Sequence, residues 1–111
     1  MAVTTSSPFG SATRTRTLVA LRLLEESYAR ELARVLKSPL SSVQQAIGSL
    51  ERDGLVAVRS LGRTRVARID PRYFARVELL EFLRRLSEAD GALREAVASL
   101  RRRPRRTGKP L

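Results

Sequence analysis

The sequence predicts a mainly α-helical protein with one β-hairpin, in the order helix, helix, helix, hairpin and C-terminal helical arm. Three observations carry this. Apolar residues recur at helical spacing before residue 53 and again after residue 70. Two short Val- and Arg-rich runs, 55–60 and 64–69, flank Leu61-Gly62-Arg63 and read as a hairpin. Pro39 and Asp53-Gly54 stand where helices should stop.

Residues 1–12 are rich in Ser, Thr and Gly and show no period, so a flexible lead-in is expected, with Phe9 as a candidate for docking. Residues 13–26 are helical in pattern. Arg22, Glu25 and Glu26 form a narrow polar face, and Leu18, Val19, Ala20, Leu21, Leu23 and Leu24 cover most of the rest. A helix that apolar must be contacted on more than one side.

Ser27 is the expected N-cap of a second helix. Ala29, Leu32, Ala33 and Leu36 form its inward stripe, and Arg30, Glu31 and Arg34 are expected to face away. Lys37-Ser38-Pro39 breaks the pattern, because Pro39 has no N–H and restrains Ser38. A third helix follows over 40–52, with Val43, Ala46, Ile47 and Leu50 inward. Gly54 suits the left-handed position that closes a helix. Asp70-Pro71 is expected to start a fourth helix, with Asp70 as cap and Pro71 in the first turn. Asp90-Gly91 offers a break before a last helical stretch, and Pro104 ends it.

Composition narrows the chemistry. The 111 residues contain no Cys and no His, which removes disulfides, thiolate metal sites and the commonest general base. No phosphate-binding glycine loop or nucleophile elbow occurs, so an enzyme is not expected, and neither is a cofactor. Glu78, Glu81, Glu88 and Asp90 read as charge balance on a solvated helix rather than a cation site. No apolar run approaches a membrane span and the N-terminus does not read as a signal peptide, so a cytoplasmic, nucleoid-associated protein is expected.

Net charge is +11, and 20 of the 22 cations are Arg. The excess is uneven. Residues 37–69 hold six cations against two acids, and residues 101–111 hold six against none, whereas residues 70–100 hold five against six. Arg grips phosphate and guanine with two hydrogen bonds, so this distribution points to nucleic acid or another anionic surface.

Residues 29–58 carry a more specific signal in Leu50-Glu51-Arg52-Asp53-Gly54-Leu55-Val56, followed by the Arg-rich hairpin and Asp70-Pro71-Arg72-Tyr73. With the element order, this set resembles the winged helix-turn-helix DNA-binding domain. Within it, the chain is similar to small prokaryotic transcription regulators of the arsenic-repressor (ArsR) type, and to winged-helix domains beside minimal nucleotidyltransferases. The resemblance spans residues 14–75. It implies a domain over 13–75 and a helical dimerisation arm over 76–103, and composition by itself adds a basic, disordered tail over 104–111. The metal-sensing relatives use Cys or His, which this chain lacks, so any effector is unknown.

The expected partner is double-stranded DNA, bound by a homodimeric, sequence-specific transcriptional regulator with helix 40–52 in the major groove. Ser41, Ser42, Gln44, Gln45 and Ser49 lie opposite or beside the apolar stripe of that helix and can bond base edges. Gly48 shares that face, at a cost to the helix. The hairpin cations Arg59, Arg63, Arg65 and Arg68 are expected on the DNA backbone or in the minor groove, with Arg14, Arg16, Lys37 and Arg52 as further phosphate contacts. Leu79, Phe82, Leu83, Leu86, Leu93, Val97 and Leu100 are the expected dimerisation surface. The alternatives are that the arm folds back on its own core or binds another protein, and that the module is architectural or a docking domain without sequence preference.

Overall fold

The computed structural model describes residues 8–102. The expectations for 1–7 and 103–111 lie outside the described residues. Within residues 8–102, five helices and a small antiparallel sheet follow in the order α1 (Ala12–Leu24), β1 (Ser27–Tyr28), α2 (Ala29–Leu36), α3 (Leu40–Arg52), β2 (Val56–Leu61), β3 (Thr64–Ile69), α4 (Arg76–Glu88) and α5 (Gly91–Arg102). The three strands lie side by side as β1-β3-β2.

α1 is the central element, as its apolar girth requires. Leu18, Val19, Ala20 and Leu21 are buried, and the helix touches α2, α3, α4, α5 and β3. Ser11 caps its start by accepting a hydrogen bond from the Arg14 N–H at 3.1 Å. Glu25, at φ 74°, ends it two residues before the boundary the pattern suggested.

The chain then runs straight through Ser27 and Tyr28, which pair with Ala67 and Val66 of β3. This strand was not expected. Ser27 is therefore not the helix cap: Tyr28 holds that position, without a side-chain bond. The Ser27 hydroxyl donates instead to the Glu31 carboxylate at 2.6 Å. That bond accounts for a second correction, since Glu31 faces inward at 9% exposure. A buried carboxylate needs such a partner.

α2 ends at Lys37 in the left-handed conformation, and Lys37, Ser38 and Pro39 make the short turn into α3. α3 occupies residues 40–52 as expected and buries Val43, Ala46 and Leu50. Gly54, at φ +81°, lets the Leu55 N–H return to the Leu50 carbonyl at 3.0 Å. The hairpin turns on Gly62 and Arg63, with Leu61 opposite Thr64 and Gly62 at φ +66°.

Asp70-Pro71 does not start a helix. The Asp70 N–H bonds the Leu55 carbonyl at 2.9 Å, which keeps Asp70 at the end of the sheet. Its carboxylate caps a tight turn by accepting from the Arg72 N–H at 2.8 Å. A second turn follows, and α4 begins only at Arg76. Asp90 does separate two helices, and its carboxylate accepts from the Leu93 N–H at the start of α5.

The arm folds back. Leu79, Leu83, Leu93 and Val97 are buried in one cluster with Leu18, Leu21, Leu32 and Leu50, and Leu86 and Leu100 pack against it. These six leucine and valine side chains are not the free dimerisation surface expected of them, because α1 needed cover on the sides α2 and α3 leave open. Of the seven, only Phe82 is exposed, at 44%, and the Phe9 ring packs against it at a tilt of 54° with ring centroids 5.8 Å apart. No described helix is long and apolar enough to cross a membrane.

Candidate nucleic-acid interface

The hydrophobic stripe of α3 faces α1 and α2, which leaves a crest of uncharged polar residues outside. Ser41, Gln44 and Gln45 are exposed, and Gly48 and Ser49 are half-buried beside them. Ser42 is half-buried as well. The crest runs between two clefts. One, of about 220 Å³, separates α3 from β3 and is lined in part by Gln44, Ile47, Gly48, Glu51 and Arg65. The other, of about 290 Å³, separates α3 from the start of α1 and is lined in part by Thr13, Arg14, Ser42, Gln45 and Ser49. Gln44 and Gln45 thus reach to opposite sides, as their neighbouring places on a helix require.

The cations divide into two groups. Arg14 and Arg16 are tied into the fold. The Arg14 guanidinium donates to the Phe9 carbonyl at 2.7 Å, to Asp53 at 2.8 Å and to the Ser49 hydroxyl. Ser49 is therefore engaged by Arg14 rather than free on the crest. Arg16 donates to Asp90 at 3.0 Å and to the Leu36 carbonyl at 3.3 Å. Both serve first as braces between elements, and Arg14 does so at the edge of the second cleft.

Lys37, Arg52, Arg63 and Arg68 are exposed and have no ion-pair partner among the described residues. Arg52 ends α3, Lys37 sits in the turn before it, and Arg63 is at the hairpin tip.

The four hairpin arginines do not share one face. In a strand pair, residues directly opposite one another point to the same side and neighbours in sequence point to opposite sides. Arg59 pairs with Val66, and Ala57 with Arg68, so Arg59 and Arg68 lie on the outer face. There Arg59 meets Glu26 at 3.1 Å. Arg65 pairs with Ser60 on the other face, the one that carries the buried Ala67 and Ile69. It comes within 3.9 Å of Glu51 on α3.

Glu51 was not singled out from the sequence, although it lies one helical turn from Gly48 and Ile47. Only the hairpin register brings Arg65 to it. Leu61, beside the tip, is 56% exposed.

The acids of the arm serve other ends. Glu81 and Glu88 share Arg84, and Asp90 takes Arg16. The hydrogen bond from Arg84 holds the Glu81 carboxyl below its ordinary range. No three acidic side chains gather into a cation site among the described residues.

No protein-family model matches this chain, and a search of curated proteins finds no significant similarity.

Proposed function

We propose that this chain is a winged helix-turn-helix regulator that binds double-stranded DNA in a sequence-specific manner. α3 lies in the major groove and residues 59–68 form the wing on the backbone or in the minor groove. The observation that carries the reading is the meeting of α3 and the hairpin at one cleft, where Arg65 stands beside Gln44, Gly48 and Glu51. An exposed helix bearing Ser and Gln offers donors and acceptors to base edges. Unpaired arginines beside it offer charge to phosphates. The turn of three residues between α2 and α3 supports the same reading.

In this arrangement Gln44 and Gln45 read bases with Ser41 and Ser42, while Lys37, Arg52, Arg63 and Arg65 hold the backbone. Arg14 positions α3 through Ser49 and Asp53. Two copies on a near-palindromic site would place their α3 helices about 34 Å apart, one turn of DNA.

Selection from a random double-stranded DNA library at physiological salt, with the solution mass measured alongside, tests the proposal. Enrichment of a defined site supports it, and a near-palindrome bound at twice the monomer mass adds the dimer. Binding without enrichment replaces it with an architectural role. Absence of salt-dependent binding sinks it, and leaves a docking module.

A further inference from the structure

Resting on the DNA-binding reading, we infer that Gly48 is the point where a DNA duplex comes closest to the α3 backbone, which makes it a specificity-determining residue. Glycine in mid-helix weakens the helix relative to alanine, so its presence calls for a reason. The backbone supplies none: Gly10, Gly54 and Gly62 have positive φ, and Gly48 does not. Packing supplies none either. Among the described residues, a Cβ added at Gly48 would meet only the Nη1 of Arg52, at 3.6 Å, which is ordinary contact with the movable end of a long side chain. The described fold would accept alanine there without rearrangement.

What lies outside the chain is then the body that needs the space. Gly48 is on the crest, with the Arg65 cleft on one side and Gln44 and Gln45 one turn away. Arg52 and Arg65 flank it, with Glu51 3.9 Å from Arg65 in the same cleft, and Arg63 stands at the hairpin tip without an ion-pair partner among the described residues, so the cations there outnumber the acid and suit a polyanion. The major groove is about 12 Å wide and a helix with its side chains about 10–12 Å across, so the fit leaves little slack. A helix bare at one point seats deeper there and lets the long side chains on either side reach the base edges. A methyl group at position 48 would hold the middle of the helix off the base edges.

The test separates fold from function by the sign of two readouts. Gly48→Ala is expected to raise the thermal midpoint by a few degrees and to weaken binding to the selected DNA site by roughly tenfold or more. The dependence of affinity on salt is expected to stay unchanged, because no phosphate contact is removed. Gly48→Gln, with a longer side chain of good helix propensity, is expected to bind more weakly still. A raised midpoint with wild-type affinity overturns the inference, and so does a lowered midpoint, which would mean the fold itself needs the glycine. Arg63→Ala serves as the reference: if it weakens binding while Gly48→Ala does not, the inference fails and the DNA-binding reading stands. A wild-type chain that binds no DNA overturns both.

Discussion

Nη2 of Arg14 lies 2.8 Å from the Asp53 carboxylate, and so joins the first turn of α1 to the residue that closes α3. The same guanidinium holds Ser49 and the Phe9 carbonyl. One side chain thereby sets how α3 leans on α1. Arg14→Ala is expected to cost about 1–2 kcal/mol, since the bonds are charge-assisted but partly exposed. DNA affinity should fall by more than that loss explains at temperatures where the variant is fully folded. Arg14→Lys, which cannot fork to Ser49 and Asp53 together, should behave like the alanine variant. Calorimetric melting with binding titrations checks this. Unchanged affinity in a folded Arg14→Ala protein would remove Arg14 from the positioning role.

The Ser27–Glu31 hydrogen bond makes a prediction about stability alone. Ser27 is 3% exposed and Glu31 9%. Ser27→Ala takes away the donor and leaves the carboxylate short of a partner, at a cost of roughly 1–3 kcal/mol. Chemical denaturation of the single variant and of Ser27→Ala with Glu31→Leu measures it. The double variant should recover most of the loss, because burying an apolar pair in place of a polar one is close to neutral. A single variant as stable as wild type would show that the bond contributes nothing.

Leu93 tests the folded-back arm. It is fully buried against the cluster that α1 builds. Leu93→Ala is expected to destabilise the chain by roughly 2–5 kcal/mol, in line with other large-to-small core changes. That loss should be the same at every protein concentration. If the arm were instead a dimer seam, the melting midpoint would climb with concentration and Leu93→Ala would abolish the climb. Melting over a wide dilution series distinguishes the two.

The hairpin arginines should separate by face. Arg63 has no partner among the described residues, whereas Arg59 is held by Glu26. Arg63→Ala is expected to weaken DNA binding across sequences and to reduce the slope of log affinity against log salt by about 1. Arg59→Ala should change that slope less. Arg65→Ala should weaken binding too, and its effect should shrink when Glu51 is also replaced by Gln, because part of the loss is the repulsion of phosphate by the Glu51 charge that Arg65 no longer offsets. Equal slopes for all variants and wild type would take the hairpin out of the interface.

Some of this architecture was legible in the sequence because it is local. The bounds of α3 follow from Pro39 at one end and Asp53-Gly54 at the other, and β3 and the Gly62 turn follow from alternation and one glycine. The polar crest of α3 follows from a period of 3.6 residues, since Val43, Ala46 and Leu50 fix the opposite face. Only the tertiary structure decided what each face meets. β1 exists because β3 has an edge for Ser27 and Tyr28 to fill, and two residues carry no periodic signal of their own. Glu31 looked like surface until Ser27 was placed over it. Arg14 and Arg16 look like free cations until Asp53 and Asp90, far away in sequence, arrive beside them. Asp70-Pro71 carries a helix-start pattern, but the backbone bond to Leu55 holds it to the sheet. The arm's leucines showed only that they must be covered, and α1 supplied the cover from within the same chain. A side chain's own spacing sets which way it points, whereas its partner is set by contacts between residues distant in sequence, which no local pattern encodes.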